Sequence, residues 1–279
     1  MSLAIVYTRA ALGIEAPLIT VEVHLSNGLP GLTMVGLPET TVKEARDRVR
    51  SALINSGYAF PAKKITINLA PADLPKEGGR YDLPIALALL VASEQLNTTR
   101  LNQYEFVGEL ALTGGLRGVP GAIPSAMEAI KAGRRIVVSS DNAAEVGLIG
   151  GSDCLVADHL QEVCAFLAGQ TSLSPPLAEA PARDERYEDL LDVIGQQQGK
   201  RALEIVAAGG HNLLLIGPPG TGKTMLASRL PGLLPPLSNQ EALESAAIQS
   251  LVNLHTAKTR WRQRPFRAPH HSASLAAMV

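Results

Sequence analysis

Eight consecutive residues, Gly217-Pro218-Pro219-Gly220-Thr221-Gly222-Lys223-Thr224, fit the spacing G-x-x-x-x-G-K-[ST]. The chemistry open to them is phosphate binding. Glycines allow backbone conformations that a side chain would block. Successive N–H groups can then turn inward as an anion nest, and a helix that starts there adds the positive end of its dipole. Lys223 would reach the β- and γ-phosphates of ATP, and the Thr224 hydroxyl would hold Mg²⁺. The motif requires a strand before it and a helix after it. Leu213-Leu214-Leu215-Ile216 is a short apolar run that predicts a buried strand, and Met225 to Leu230 predicts a helix. The alternative, a Gly/Pro turn that happens to contain Lys-Thr, leaves that flanking pattern unexplained.

A second group lies between positions 258 and 267. Lys258, Arg260, Arg262, Arg264 and Arg267 are basic, Trp261 and Phe266 are aromatic, and no acid intervenes. Basic side chains interleaved with aromatics suit single-stranded nucleic acid or phosphate contacts. The competing reading is an exposed loop that packs on a neighbouring subunit. A third group, Lys43, Arg46, Arg48 and Arg50 with Glu44 and Asp47, reads as a solvated helix face, with DNA contact as the alternative. His270-His271 could suggest a metal, but adjacent histidines diverge on most backbones and no Cys, Asp or Glu stands nearby. Cys154 and Cys164 lack metal-ligand spacing and read as reduced, buried thiols.

These groups must be positioned by a chain of 279 residues, long enough for two cores. The formal net charge of −1 gives no global nucleic-acid signature, so such a surface must be local. Aromatics make up 4%, which predicts aliphatic cores. No basic-then-apolar leader opens the chain, and the most apolar run, Ile85 to Ala92, is too short to span a bilayer. The expectation is a cytoplasmic protein without membrane contact.

The periodicity predicts strands over 3–7, 18–25, 32–35, 64–69, 104–112, 135–139 and 154–157. It predicts helices from near Glu39, over 82–95, 122–132, 142–148 and 159–168. Thr40 or Thr41 can cap the first helix, with Glu44 completing a capping box, and Val42, Ala45, Val49, Ala52 and Leu53 share its apolar face. Asp82 is placed to cap the next one. Strands alternating with helices predict an α/β (α+β) class. The Ser/Pro/Ala-rich stretch 171–187 reads as a linker between a domain at 1–170 and a second at 188–279. In the latter, Ser238 and Glu241 can cap a helix that runs through Ile248.

The first domain resembles the proteolytic domain of the Lon family. The resemblance rests on Asn68-Leu69-Ala70-Pro71-Ala72-Asp73-Leu74-Pro75-Lys76-Glu77-Gly78, on Val107 to Arg117, and on Lys131 to Val138. Active members use a Ser nucleophile and a Lys base. Overlaying the apolar runs puts the Ser position at Asp82 and the Lys position near Pro124, with Ser125 adjacent. Neither residue can do that work, so the resemblance implies the fold and not an active protease. In the second domain, Asp192-Val193-Ile194-Gly195-Gln196 resembles the entry to an AAA+ module, where it packs on adenine. That implies base contacts for Val193, Ile194 and Gly195, with plain core packing as the alternative.

Together with Arg264-Pro265-Phe266-Arg267-Ala268-Pro269-His270-His271-Ser272-Ala273-Ser274, these stretches are similar to the bacterial magnesium-chelatase-like AAA+ family of ComM (YifB) type. The resemblance covers the whole chain. It implies a degenerate Lon-like domain before a chelatase-type P-loop AAA+ module, assembly as a homo-hexamer, and an ATP-driven motor on single-stranded or branched DNA. Branch migration in recombination or natural transformation is the process implied. A P-loop ATPase also needs an acidic strand end for Mg²⁺ and water, and an arginine finger from a neighbour. Met225 to Val279 holds no apolar run followed by Asp-Glu. The expectation is therefore the N-terminal part of a longer protein, one that binds nucleotide and hydrolyses it poorly, with no catalytic residues assigned. A chelatase subunit for metal insertion and an ATP-dependent protein remodeller or protease are the competing readings.

Overall fold

The structure, a computed structural model, describes residues 3–176, 187–252, 261–270 and 272–274. The chain divides into two compact units. The first comprises Met1–Pro181 with Leu243–Arg260, and the second Ala182–Ala242 with Trp261–Val279.

The first unit is built on one mixed sheet. Its strands are β1 (Leu3–Arg9), β2 (Leu18–Ser26), β3 (Gly31–Val35), β4 (Lys64–Ala70), β5 (Tyr104–Phe106), β8 (Arg135–Ser139) and β9 (Cys154–Ala157), in the order β3-β4-β2-β1-β5-β8-β9. A separate hairpin pairs β6 (Glu109–Leu110) with β7 (Leu116–Arg117). β1, β2 and β4 pair antiparallel, and burial alternates along each of them. Such a sheet buries one face and leaves the other open. Ile19, Val21 and Val23 with Ile65, Ile67 and Leu69 form the buried face, which packs with the almost wholly buried helix α3 (Asp82–Ala92). Beyond β1 the pairing becomes parallel and the sheet is covered on both faces. Successive β8 residues serve opposite cores, as the two-residue period of a strand requires. Ile136 and Val138 join Ala122, Ala126 and Ala129 of α4 (Ala122–Lys131). Val137 joins Leu160, Val163 and Phe166 of α6 (Leu160–Leu167). The α/β class expected from the alternation is the class observed, and the cores are mainly aliphatic.

The differences in detail have local causes. The 104–112 stretch is not one strand. After Phe106 the backbone leaves the sheet, the Gly108 carbonyl accepts from Leu83 N–H at 3.1 Å, and Leu110 N–H donates to the Asp82 carboxylate at 3.2 Å. The Gly108 carbonyl thereby serves one of the unpaired donors that every helix start presents. Asp82 is the first residue of α3 and caps nothing of its own helix. The helix near Glu39 is broken into α1 (Thr40–Lys43) and α2 (Ala45–Asn55) at Glu44, so no capping box forms. The Thr41 hydroxyl accepts from Gly78 N–H at 3.1 Å instead. Its expected apolar face, Val42, Ala45, Val49, Ala52 and Leu53, is buried throughout. The turn at 113–118 closes against the α6 start. At Gly114, with φ +96°, a Cβ would lie 2.2 Å from the Ser56 hydroxyl, so backbone and space both demand glycine. Residues 171–176 pack on this unit through Leu173, and the rest of the expected linker lies outside the described residues save Tyr187.

The second unit holds α7 (Gln197–Gly209), α8 (Lys223–Leu233) and the start of α9 (Asn239–Ser250). Val193, Leu203 and Leu226 are its buried centre, with Leu190, Leu215, Leu230 and Leu233 around them. α7 approaches α8 closely at Gly199, where a Cβ would meet Leu226 Cδ1 at 2.8 Å. The α9 start carries the expected capping box: Ser238 N–H donates to Glu241 Oε2 at 2.8 Å and Glu241 N–H to Ser238 Oγ at 3.3 Å. The expected strand at 213–216 is not formed. A strand exists only through ladder partners, and among the described residues of this unit there is none. Leu214 and Ile216 are 79% and 86% exposed, and only Leu215 turns to the core.

Candidate nucleotide-binding site

Gly217 to Thr224 wraps the N-terminus of α8. Gly222 stands immediately before the helix at φ +83°, a conformation that glycine adopts without strain. The loop is held by its own groups: the Thr221 hydroxyl donates to the Pro218 carbonyl at 2.9 Å. Lys223 is the first helical residue, and its side chain folds back over the loop. Its ammonium donates to the carbonyls of Gly217 at 2.8 Å and Pro218 at 2.6 Å. No carboxylate lies within ion-pair distance of it among the described residues. The ammonium also reaches the Thr221 hydroxyl at 3.4 Å. A cation bonded only to neutral oxygens, beside a helix N-terminus, leaves positive potential uncompensated where a phosphate would sit. Thr224, one residue into the helix, is exposed. These groups fit a nucleotide with its Mg²⁺: Lys223 and the loop N–H groups for the phosphates, the Thr224 hydroxyl for the metal.

The 193–196 run adjoins this loop. The Gln196 side-chain amide donates to the Thr221 carbonyl at 3.3 Å, and Gln196 itself sits at φ +54°. Neither Gln196 nor Gly199 stood out by residue type; the only signal for Gln196 was membership of the Asp-Val-Ile-Gly-Gln run, and Gly199 lies three residues beyond it. Of the three residues expected at a base, Val193 is buried beneath α8, Ile194 is 97% exposed, and Gly195 lies at φ +76°. Beside the loop's helix, Arg229 bonds the Asp189 carbonyl at 3.1 Å and Glu188 at 3.0 Å, tying α8 to the entry segment.

The basic cluster is placed in part. Lys258, Arg260 and His271 lie outside the described residues. Arg262 donates to the Leu237 carbonyl at 3.1 Å and Arg264 to the Pro235 carbonyl at 2.8 Å, so both fasten the loop after α8. Trp261 is half-buried, while Phe266 and Arg267 are exposed. No group of His, Cys, Asp or Glu able to hold a metal occurs among the described residues.

In the first unit, Asp82 is fully buried and accepts from Arg48 at 2.7 and 3.0 Å. Burial pushes its pKa up to about 6, against the pull of Arg48. Pro124 is buried in the first turn of α4. Ser125 is buried beside it and donates to the Gly121 carbonyl at 2.8 Å. No described helix is long and apolar enough to cross a membrane.

Two family models match the chain: subunit ChlI of Mg-chelatase over residues 21–142, and magnesium chelatase, subunit ChlI, over residues 189–279. The chain is 77% identical over 279 residues to the protein YifB of Salmonella typhimurium and 75% identical to YifB of Escherichia coli, covering all of itself and 55% of each. It is 58% identical over 286 residues to "Competence protein ComM" of Haemophilus influenzae, covering 56% of that protein. The chain thus spans about half the length of the curated relatives it matches. Matched along both units by ChlI models and along its whole length by these proteins, the chain belongs to the magnesium-chelatase-like family of ComM/YifB type.

Proposed function

We propose that this chain carries the nucleotide-binding end of an ATP-driven DNA motor, with ATP and Mg²⁺ on the 217–224 loop. The observation that carries the reading is the Lys223 ammonium, bonded only to neutral loop oxygens at the start of α8. ATP supplies a triphosphate whose negative charge replaces those oxygens as acceptor. Lys223 and the loop N–H groups bind it, Thr224 orients the metal, and Ile194 and Gly195 offer an exposed surface for the base. No step of hydrolysis is assigned to residues of this chain. DNA as the substrate draws on the competence role named for the ComM relative and on the basic cluster, where Arg267, Trp261 and Phe266 are the described groups open to a strand. Family likeness also supports the remaining parts of the reading: domains at 1–170 and 188–279, a hexamer of the full-length protein, a cytoplasmic setting, and a first domain without peptidase chemistry.

The test is Lys223→Ala with calorimetry. ATP binding should be lost, while the first unit keeps the wild-type unfolding transition, because the ammonium bonds only oxygens of its own loop. Equal ATP affinity in the two proteins would refute the assignment.

A further inference from the structure

Arg46, Arg48 and Arg50 of α2 do not share one solvated face. Arg48 turns inward to Asp82. Arg46 and Arg50, one helical turn apart, face the other way and line a cleft of about 180 Å³. Its other walls are Pro30, Gly31 and Leu32 at the start of β3, the sheet's edge strand, and Phe60 with Lys63 from the segment before β4. Three cations converge on this cleft and no carboxylate lines it. None of the three has an ion-pair partner among the described residues. Glu94, outside the lining, is the carboxylate whose charge interacts with Lys63. The Arg50 guanidinium lies 5.2 Å from the centroid of the Phe60 ring, which fixes it over a flat apolar support. Like charges at i and i+4 destabilise a helix. An anion held between Arg46 and Arg50 would relieve that repulsion.

We propose that this cleft binds the phosphodiester backbone of a single-stranded nucleic acid, with Arg46, Arg50 and Lys63 on its phosphates and the Arg50–Phe60 stack beside a base. The inference rests on the DNA reading above and places a contact in the first unit. The cations are exposed and spread over two elements. That layout suits successive phosphates along a strand better than one enclosed phosphate ion, and guanidinium and aromatic planes accept bases without sequence preference.

The experiment uses the 279-residue chain and a fluorescent single-stranded oligonucleotide, with anisotropy followed across a salt series. Arg46→Ala/Arg50→Ala/Lys63→Ala should bind at least tenfold more weakly at low salt. Its log–log salt slope should flatten by about 0.7 for every phosphate that is no longer neutralised. Arg46→Lys/Arg50→Lys should keep the wild-type slope, because the charges remain. ATP affinity by calorimetry should be the same in all three proteins. Wild-type affinity and slope in the triple variant would overturn this inference alone. Loss of the slope in the lysine variant would overturn it too, since charge would not be the cause. Displacement of the oligonucleotide by inorganic phosphate at constant ionic strength would overturn it in favour of a lone phosphate in the cleft. A wild-type chain that binds ATP and no oligonucleotide would overturn both this inference and the DNA reading, leaving nucleotide binding intact.

Discussion

Lys223 and Glu145 show two ways in which one charged group can sit in this fold. Lys223 is bonded to neutral carbonyls in an open loop, so its charge stays available to a ligand. Glu145 is buried in the helical turn α5 (Ala143–Val146), with one oxygen accepting from Asn142 at 3.2 Å and the other unpaired. Burial pushes its pKa up to about 7, although the Asn142 amide pulls the other way. A raised folded pKa means that the native state holds the proton more tightly than the unfolded chain. The associated stability is complete below the unfolded value of 4.5 and is lost as pH rises through about 7. Glu145→Gln removes the ionisation and keeps an acceptor for Asn142. It should stabilise the first unit on the order of 1–3 kcal/mol at pH 8 and change little at about pH 4. Urea unfolding at the two pH values measures this; an equal effect at both would show that charge is not the cause.

At the scale of elements, helix starts decide where the chain goes. α3 draws the backbone at 108–110 out of the sheet, the Gly108 carbonyl to the Leu83 N–H and the Leu110 N–H to the Asp82 carboxylate, which is why the predicted strand divides. α9 meets the same need locally, through Ser238 and Glu241. Glu241 gains from it in turn: the Ser238 N–H and hydroxyl lower its pKa. Ser238→Ala removes one acceptor and should destabilise α9 by about 0.5–2 kcal/mol. Amide hydrogen exchange in its first turn should quicken accordingly, while Ser238→Thr should restore most of the protection. Unchanged exchange in the alanine variant would mean that the turn is held by packing and not by its cap.

For the molecule as a whole, the two units differ in what holds them. The first has a seven-stranded sheet with layered aliphatic cores, and the second a small centre of Val193, Leu203 and Leu226. Ligand binding to one of them should therefore be visible as selective stabilisation. ATP at roughly a hundred times its Kd should raise the unfolding free energy of the second unit by about 2.7 kcal/mol. The first unit should be unaffected, as resolved by hydrogen exchange mapped to α7 and α8 against α3 and β8. Uniform protection of both sets, or of neither, would contradict nucleotide binding confined to the 217–224 loop.

The sequence by itself determined the features that depend on local pattern. The strands at 135–139 and 154–157, the apolar face from Val42 to Leu53, the capping box at Ser238 and the glycine loop before α8 all follow from periods and short-range chemistry. Family membership was legible for the same reason, since it rests on contiguous motifs. Only the tertiary structure decided what depends on a distant partner. Arg48 and Arg50 look alike in sequence, yet one is drawn in by a buried carboxylate at Asp82 and the other is left on an aromatic ring at Phe60. Arg262 and Arg264 read as ligands and are taken up by carbonyls at Leu237 and Pro235. Leu213 to Ile216 has the composition of a strand but no neighbouring strand among the described residues of its unit, and a ladder cannot be made by one segment alone.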